Sequence, residues 1–170
     1  SLSEWETLAL ESSPGAGGLT ILPYFAGERT PLNDPAAKGV FFGMSLSTTS
    51  GEIYRALQEA IGFGIRHNIE EMDKAGAQAD RIIAIGGASE SRQLMQMITD
   101  ITGCPQNLPR QKLGACYGDA FLAAIGSNYF SSISEISHWV HMEEDIIPDE
   151  SAKTIYDEGY EKYRALYQST

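Results

Sequence analysis

One stretch restricts the fold of this chain more than any other: Arg81-Ile82-Ile83-Ala84-Ile85, then Gly86-Gly87-Ala88, then Ser89 to Gln96. The run from Arg81 to Ile85 is short, apolar and rich in β-branched residues, which predicts a strand buried on both faces. Gly86, Gly87 and Ala88 then strip the backbone of side-chain bulk. Ser89 or Ser91 can cap the helix that follows, where Leu94, Met95 and Ile98 fall on or near one face. Strand, glycine turn and helix start together make a place where a ligand can lie close to the main chain. Missing Cβ atoms admit a flat ring, and free N–H groups at a helix start favour acceptor atoms. The same turn also serves plain chain topology, so the surrounding sequence has to decide.

Upstream, Ser3 to Ser12 reads as a short helix with Trp5, Leu8 and Ala9 on one side, ended by Pro14-Gly15-Ala16-Gly17-Gly18. Leu19 to Phe25 reads as a strand, and Pro23 sets it at an edge or ends its pairing. Ala26 to Pro35 is a loop with Asp34-Pro35 turn chemistry; its Glu28-Arg29 pair is either functional or ties the loop down by ion pairs. Gly39 to Ser45 is a second strand. Ser50 is the expected cap of a long helix closing at Ala75-Gly76, with Ile53, Leu57, Ile61, Ile65, Ile69 and Met72 as a continuous buried stripe. Gly62 and Gly64 each cost that helix about 1 kcal/mol relative to alanine, which implies close packing of another backbone there.

Downstream, the central helix runs to about Thr102 and stops at Gly103-Cys104-Pro105. Gln106 to Leu108 is a short strand. Gly114 to Ser127 is a helix of small residues, able to lie close to a neighbour or a ligand, and its Asp119 needs a partner if buried. Ile133 to Val140 reads as a short helix and Asp145 to Pro148 as an extended exit. Ser151 to Gln168 is an amphipathic helix whose Tyr156, Tyr160, Tyr163 and Tyr167 form a docking stripe. Strands alternating with helices predict an α/β fold with a mixed sheet.

Composition excludes several function classes. A net charge of −11 opposes general electrostatic binding to nucleic acid or anionic membrane. Cys104 and Cys116 form no framework and read as two core thiols in a reducing, cytoplasmic setting. No apolar run approaches the roughly 20 residues of a membrane span. His138-Trp139-Val140-His141 lacks the third ligand a zinc site wants, and the acidic run after it reads as solvated surface. No P-loop, dinucleotide fingerprint or nucleophile elbow is present.

Four segments in order change the weighing: Pro23-Tyr24-Phe25-Ala26-Gly27-Glu28-Arg29-Thr30-Pro31; Asp34-Pro35-Ala36-Ala37-Lys38-Gly39-Val40-Phe41-Phe42-Gly43; Ile85-Gly86-Gly87-Ala88; and Tyr117-Gly118-Asp119-Ala120-Phe121-Leu122-Ala123-Ala124. Together they resemble the FGGY carbohydrate kinases, with a xylulokinase-like flavour. The resemblance implies an actin-like (ribonuclease H-like) ATPase fold with a mixed sheet flanked by helices. It implies one domain over residues 1–170, the C-terminal kinase domain, truncated at its N-terminal end and lacking the N-terminal sugar-binding domain. Family enzymes phosphorylate sugars or polyols with MgATP in the cleft between two domains.

Carried over residue by residue, the resemblance puts the adenosine pocket at Gly86, Gly87, Ala88, Ser91 and Arg92, with ATP or ADP as the nucleotide and Mg2+ in the full-length enzyme. The family's catalytic aspartate, phosphate loop and sugar pocket have no counterpart here, so no catalytic and no metal residue is assigned, and neither Asp34 nor Asp119 fills the gap. The second family signature departs at Gln58, read as drift on a helix surface. The fragment alone is expected to be inactive, with a sugar or polyol bound through the missing domain. The strand at Leu19 to Tyr24 is expected to have an unpaired edge, and self-association is expected through that edge or the exposed cleft face. The alternative from another class is a non-catalytic actin-like module that binds nucleotide or protein.

Overall fold

The computed structural model describes residues 2–78, 81–111 and 114–170. Its first half is built on one long helix. α1 (Leu2–Glu11) precedes two short strands, β1 (Thr20–Leu22) and β2 (Val40–Phe42), and then α2 (Ser50–Lys74). The start of α2 is fixed by a reciprocal capping box. Glu52 N–H donates to the Thr49 hydroxyl at 3.2 Å, and Thr49 N–H donates to the Glu52 carboxylate at 2.7 Å. The cap is therefore Thr49, one residue before the expected Ser50, because only Thr49 has a glutamate three residues on.

The buried face of α2 also differs from the expected stripe. Ala56, Ala60, Phe63 and His67 are buried, whereas Ile61 is 47% and Met72 48% exposed. An α-helix turns about 100° per residue, so a strict every-fourth series advances about 40° per step and leaves the starting face. Gln58 is buried as well, not on the helix surface, and its Oε1 has no hydrogen-bond partner among the described residues. Gly62 makes room not for another backbone but for a side chain: a Cβ there would sit 2.6 Å from Ile101 Cδ1 of the neighbouring helix.

β1 pairs antiparallel with β2 in a two-stranded sheet. β1 pairs with a strand on one side only, as expected, but all three of its residues are buried, with α2 and the C-terminal helix packed on them. Exposed strand residues lie on β2 and on the two edge strands of the second sheet. Among the described residues neither Glu28 nor Arg29 ties the loop at 26–35 down by an ion pair. Asp34 holds it, accepting from Ala36 N at 2.9 Å, Ala37 N at 3.2 Å and Tyr167 Oη at 3.0 Å.

The second half carries the three-stranded sheet. β3 (Ile82–Ile83) lies parallel to β4 (Gln106–Pro109), and β4 lies antiparallel to β5 (Met142–Ile146), in the order β3-β4-β5. Between β3 and β4 runs α3 (Arg92–Thr102), closed by Gly103 in the left-handed region. After β4 come α4 (Ala115–Gly126) and α5 (Ile136–Trp139), and after β5 comes α6 (Lys153–Gln168). The acidic run after His141 is thus a strand and not loose surface, though Met142 to Asp145 are exposed as expected.

Helix α3 joins two cores. Met97 and Ile101 enter the larger one with α2, β1 and α6, while Met95 and Ile98 pack on Leu108 and Ile146 of the sheet. The tyrosine stripe docks α6 as expected: Tyr156, Tyr160 and Tyr163 are buried. Arg55 bolts three segments together at the larger core. It donates to Glu59, to the carbonyls of Ala9 and Ser12, and to Tyr156 Oη at 2.8–3.2 Å. Burial pushes the Glu59 carboxyl upward despite that guanidinium and the Gly15 N–H.

Candidate functional site

Parallel pairing of β3 and β4 sends both strands' carboxyl ends to the same edge of the sheet, where open α/β sheets bind ligands. The Gly86-Gly87-Ala88 turn after β3 lies there, beside Gly114 at the head of α4. Gly114 approaches β3 closely, since a Cβ on it would lie 4.0 Å from Ile85 Cδ1.

The Gly86 turn is built so that its backbone stays bare. Gly86 has φ 87° and ψ −176°, a conformation that glycine alone adopts freely. A single 3₁₀ turn, Gly87–Glu90, separates it from α3. Ser89 clamps that turn: it is buried, and both its N–H and its hydroxyl donate to the Gly86 carbonyl, at 3.1 and 2.7 Å. Ser91 takes the other serine role, accepting from Leu94 N at 3.3 Å as the α3 cap. Of the two candidate caps, Ser91 caps α3, while Ser89 lies inside the 3₁₀ turn and caps no helix. Ideal Cβ atoms on Gly86 and Gly87 meet nothing within 4 Å, and Gly87 and Ala88 are exposed.

Of the five expected contact residues, Gly86, Gly87 and Ala88 form one open surface, and Ser91 follows it with its hydroxyl in the cap. The Arg92 guanidinium is engaged by Glu144 of β5 and by Gln96. That partnership crosses 52 positions and has no sequence signal.

The wall beside the turn differs from expectation. Ile83 is 44% and Ile85 56% exposed, so the strand is not buried on both faces. β3 is the edge of its sheet, with β4 on one side only. Across from it, α4 keeps only Phe121 buried, and Asp119 is exposed. Ile83, Ile85, Gly118, Phe121 and Trp139 line a mainly apolar cavity of about 280 Å³. Sequence reasoning missed Tyr117 and Trp139 in this wall; their aromatic character was the available signal.

Elsewhere the chemistry is structural. The cleft at Arg66, Asp100 and Asp157 satisfies itself, with Arg66–Asp157 at 2.7 Å and Asp100 accepting from Asp149 N at 2.8 Å. Burial, with Asp73 nearby, pushes the Cys104 thiol up, which makes it a poor nucleophile. Cys116, in α4, is exposed and is no core thiol. Among the described residues no three or more His, Cys, Asp or Glu side chains are grouped to hold a metal ion.

Comparison with known proteins covers this whole region. Residues 2–127 match the model of the FGGY family of carbohydrate kinases, C-terminal domain. A xylulose kinase of Staphylococcus epidermidis is 33% identical over all of this chain and 34% of its own length. That of Escherichia coli is 33% identical over 94% of this chain and 33% of its own. The crystal structure of xylulose kinase from Rhodospirillum rubrum superposes with a TM-score of 0.84 and 36% identity, covering 98% of this chain and 33% of that one. The chain spans about a third of the length of the curated relatives it matches.

Proposed function

Because the chain belongs to the FGGY family of carbohydrate kinases, with their actin-like ATPase fold, we propose that it is the C-terminal, nucleotide-holding domain of an enzyme that moves the γ-phosphoryl group of ATP to a sugar or polyol hydroxyl. The observation that carries this reading is the bare backbone at Gly86 and Gly87, with nothing within 4 Å of either added Cβ. The adenosine rests on residues 86 to 88, and Ser91 and Arg92 flank it at the start of α3. Main-chain N–H groups orient the nucleoside.

Bound MgATP supplies the phosphoryl group and the neutralising metal charge. The base for the acceptor hydroxyl, the triphosphate loop and the sugar pocket belong to a separate N-terminal part of a longer cytoplasmic kinase, so residues 1–170 alone bind nucleotide without turning over. Xylulose, which names the matched relatives, is the first sugar to test on the longer form.

A thermal-shift titration tests the binding claim. A ligand at 100 times its dissociation constant adds about 2.7 kcal/mol of stability. Melting should therefore rise by several degrees with millimolar ATP or ADP. An unchanged melting temperature with both nucleotides overturns the adenosine assignment.

A further inference from the structure

Two cavities adjoin through one pair of aromatic rings. Tyr117 and Trp139 lie 5.1 Å apart between centroids, tilted by 39°, and Tyr117 Oη donates to the Trp139 carbonyl at 3.0 Å. On one side is the apolar chamber of about 280 Å³ described above. On the other is a cavity of about 260 Å³ lined by the same two rings with Arg110, Gln111, His138 and His141. Arg110 N–H donates to the His141 carbonyl at 2.8 Å, which ties the end of β4 to the residue before β5 and sets the arginine beside the histidines.

The charge of this second cavity runs against that of the chain. The sequence carries a net charge of −11, yet among the described residues the lining holds one arginine, two histidines and no carboxylate. Among the described residues no acid pairs with the Arg110 guanidinium. Of the acids nearby in sequence, Glu144 pairs with Arg92 and Asp145 with Asn107, while Glu135 accepts from Ser131 and Ser132 and also interacts electrostatically with His138, and Glu143 is exposed. A guanidinium offers a forked pair of donors to an oxyanion. Each imidazole offers one N–H when neutral and two when protonated.

We propose that the two cavities form one bipartite site for a small amphiphilic anion. An aromatic or aliphatic body enters the apolar chamber, and its phosphate, sulfonate or carboxylate is held by Arg110, His138 and His141. Together the cavities reach the size at which small-molecule sites begin, about 300 Å³. The site lies between the sheet and α4, and it takes a ligand that the nucleotide reading does not require.

Isothermal titration of the 170-residue chain tests it with three probes: naphthalenesulfonate, its neutral analogue naphthalenemethanol, and sulfate. The sulfonate is expected to bind about tenfold tighter than the alcohol, as a charge-assisted hydrogen bond requires. Arg110→Ala should erase that advantage and leave the alcohol unchanged. Gly118→Leu should abolish both isotherms by filling the chamber. A Cβ on Gly118 meets nothing within 4 Å and leucine favours the helix, so this variant keeps the fold, which a melting curve verifies. Saturating ATP should leave the sulfonate isotherm as it was. Equal affinity for sulfonate and alcohol, indifference to Arg110→Ala, no sulfonate binding at millimolar concentration, or displacement by ATP each overturns the proposal. Failure of ATP itself to bind affects only the adenosine assignment.

Discussion

Tyr24 of the loop after β1 donates its hydroxyl proton to Tyr163 of α6 across 2.8 Å inside the larger core, with both rings buried and set nearly edge to face. The pair links two segments 139 positions apart and satisfies two phenols that have no access to water.

Removing one partner of that pair strands the other. Tyr163→Phe should cost about 1–3 kcal/mol, because a buried hydroxyl loses its partner. The double variant Tyr24→Phe/Tyr163→Phe should cost less than the two single variants added together. Urea unfolding of the four proteins checks this; strict additivity would show that the bond contributes nothing.

Alkali should unfold the chain through its buried phenols. Burial pushes Tyr156 and Tyr160 up to about 12, and Tyr24 and Tyr163 are raised as well. A folded-state value above the unfolded value of 10 means stability is fully present below pH 10 and is lost as pH rises through about 12. Tyrosinate absorbance should therefore rise in two stages, with the later stage coinciding with loss of the far-ultraviolet circular dichroism signal.

Gly51 is where α1 touches α2. A Cβ there would lie 2.5 Å from the Leu8 carbonyl oxygen and 2.8 Å from Ser12 Oγ. Backbone cannot yield as a side-chain tip can, so Gly51→Ala should destabilise by about 1–3 kcal/mol even though alanine favours helices. A chemical-denaturation midpoint equal to that of the parent would contradict the close contact.

The strand, glycine turn and capped helix from Arg81 to Gln96 were legible because each step has a local cause. Gly86 alone fits its conformation, and Ser91 alone sits where α3 needs an acceptor. The tyrosine stripe of α6 was legible for the same reason, since spacing sets which side faces the core. What escaped was set by distant partners. A β-branched run does not reveal how many strands flank it, so Ile83 and Ile85 were expected inside. β5 hid behind Glu143, Glu144 and Asp145, because an edge strand with exposed side chains has no apolar alternation to read. Small residues in α4 signalled close packing, yet Phe121 is the one residue of that helix classed as buried. The cation-lined cavity depends on Arg110 at the end of β4 meeting two histidines just before β5, which spacing alone does not report.

Calorimetric titration of ADP into the parent chain and into Gly87→Leu tests the central claim most directly. Gly87 lacks the positive φ of Gly86, and nothing lies within 4 Å of an added Cβ, so leucine there perturbs only the open surface. The parent should bind ADP, and Gly87→Leu should bind it at least about tenfold more weakly at an unchanged melting temperature. Equal dissociation constants for the two proteins would contradict a nucleoside resting on the main chain at residues 86 to 88.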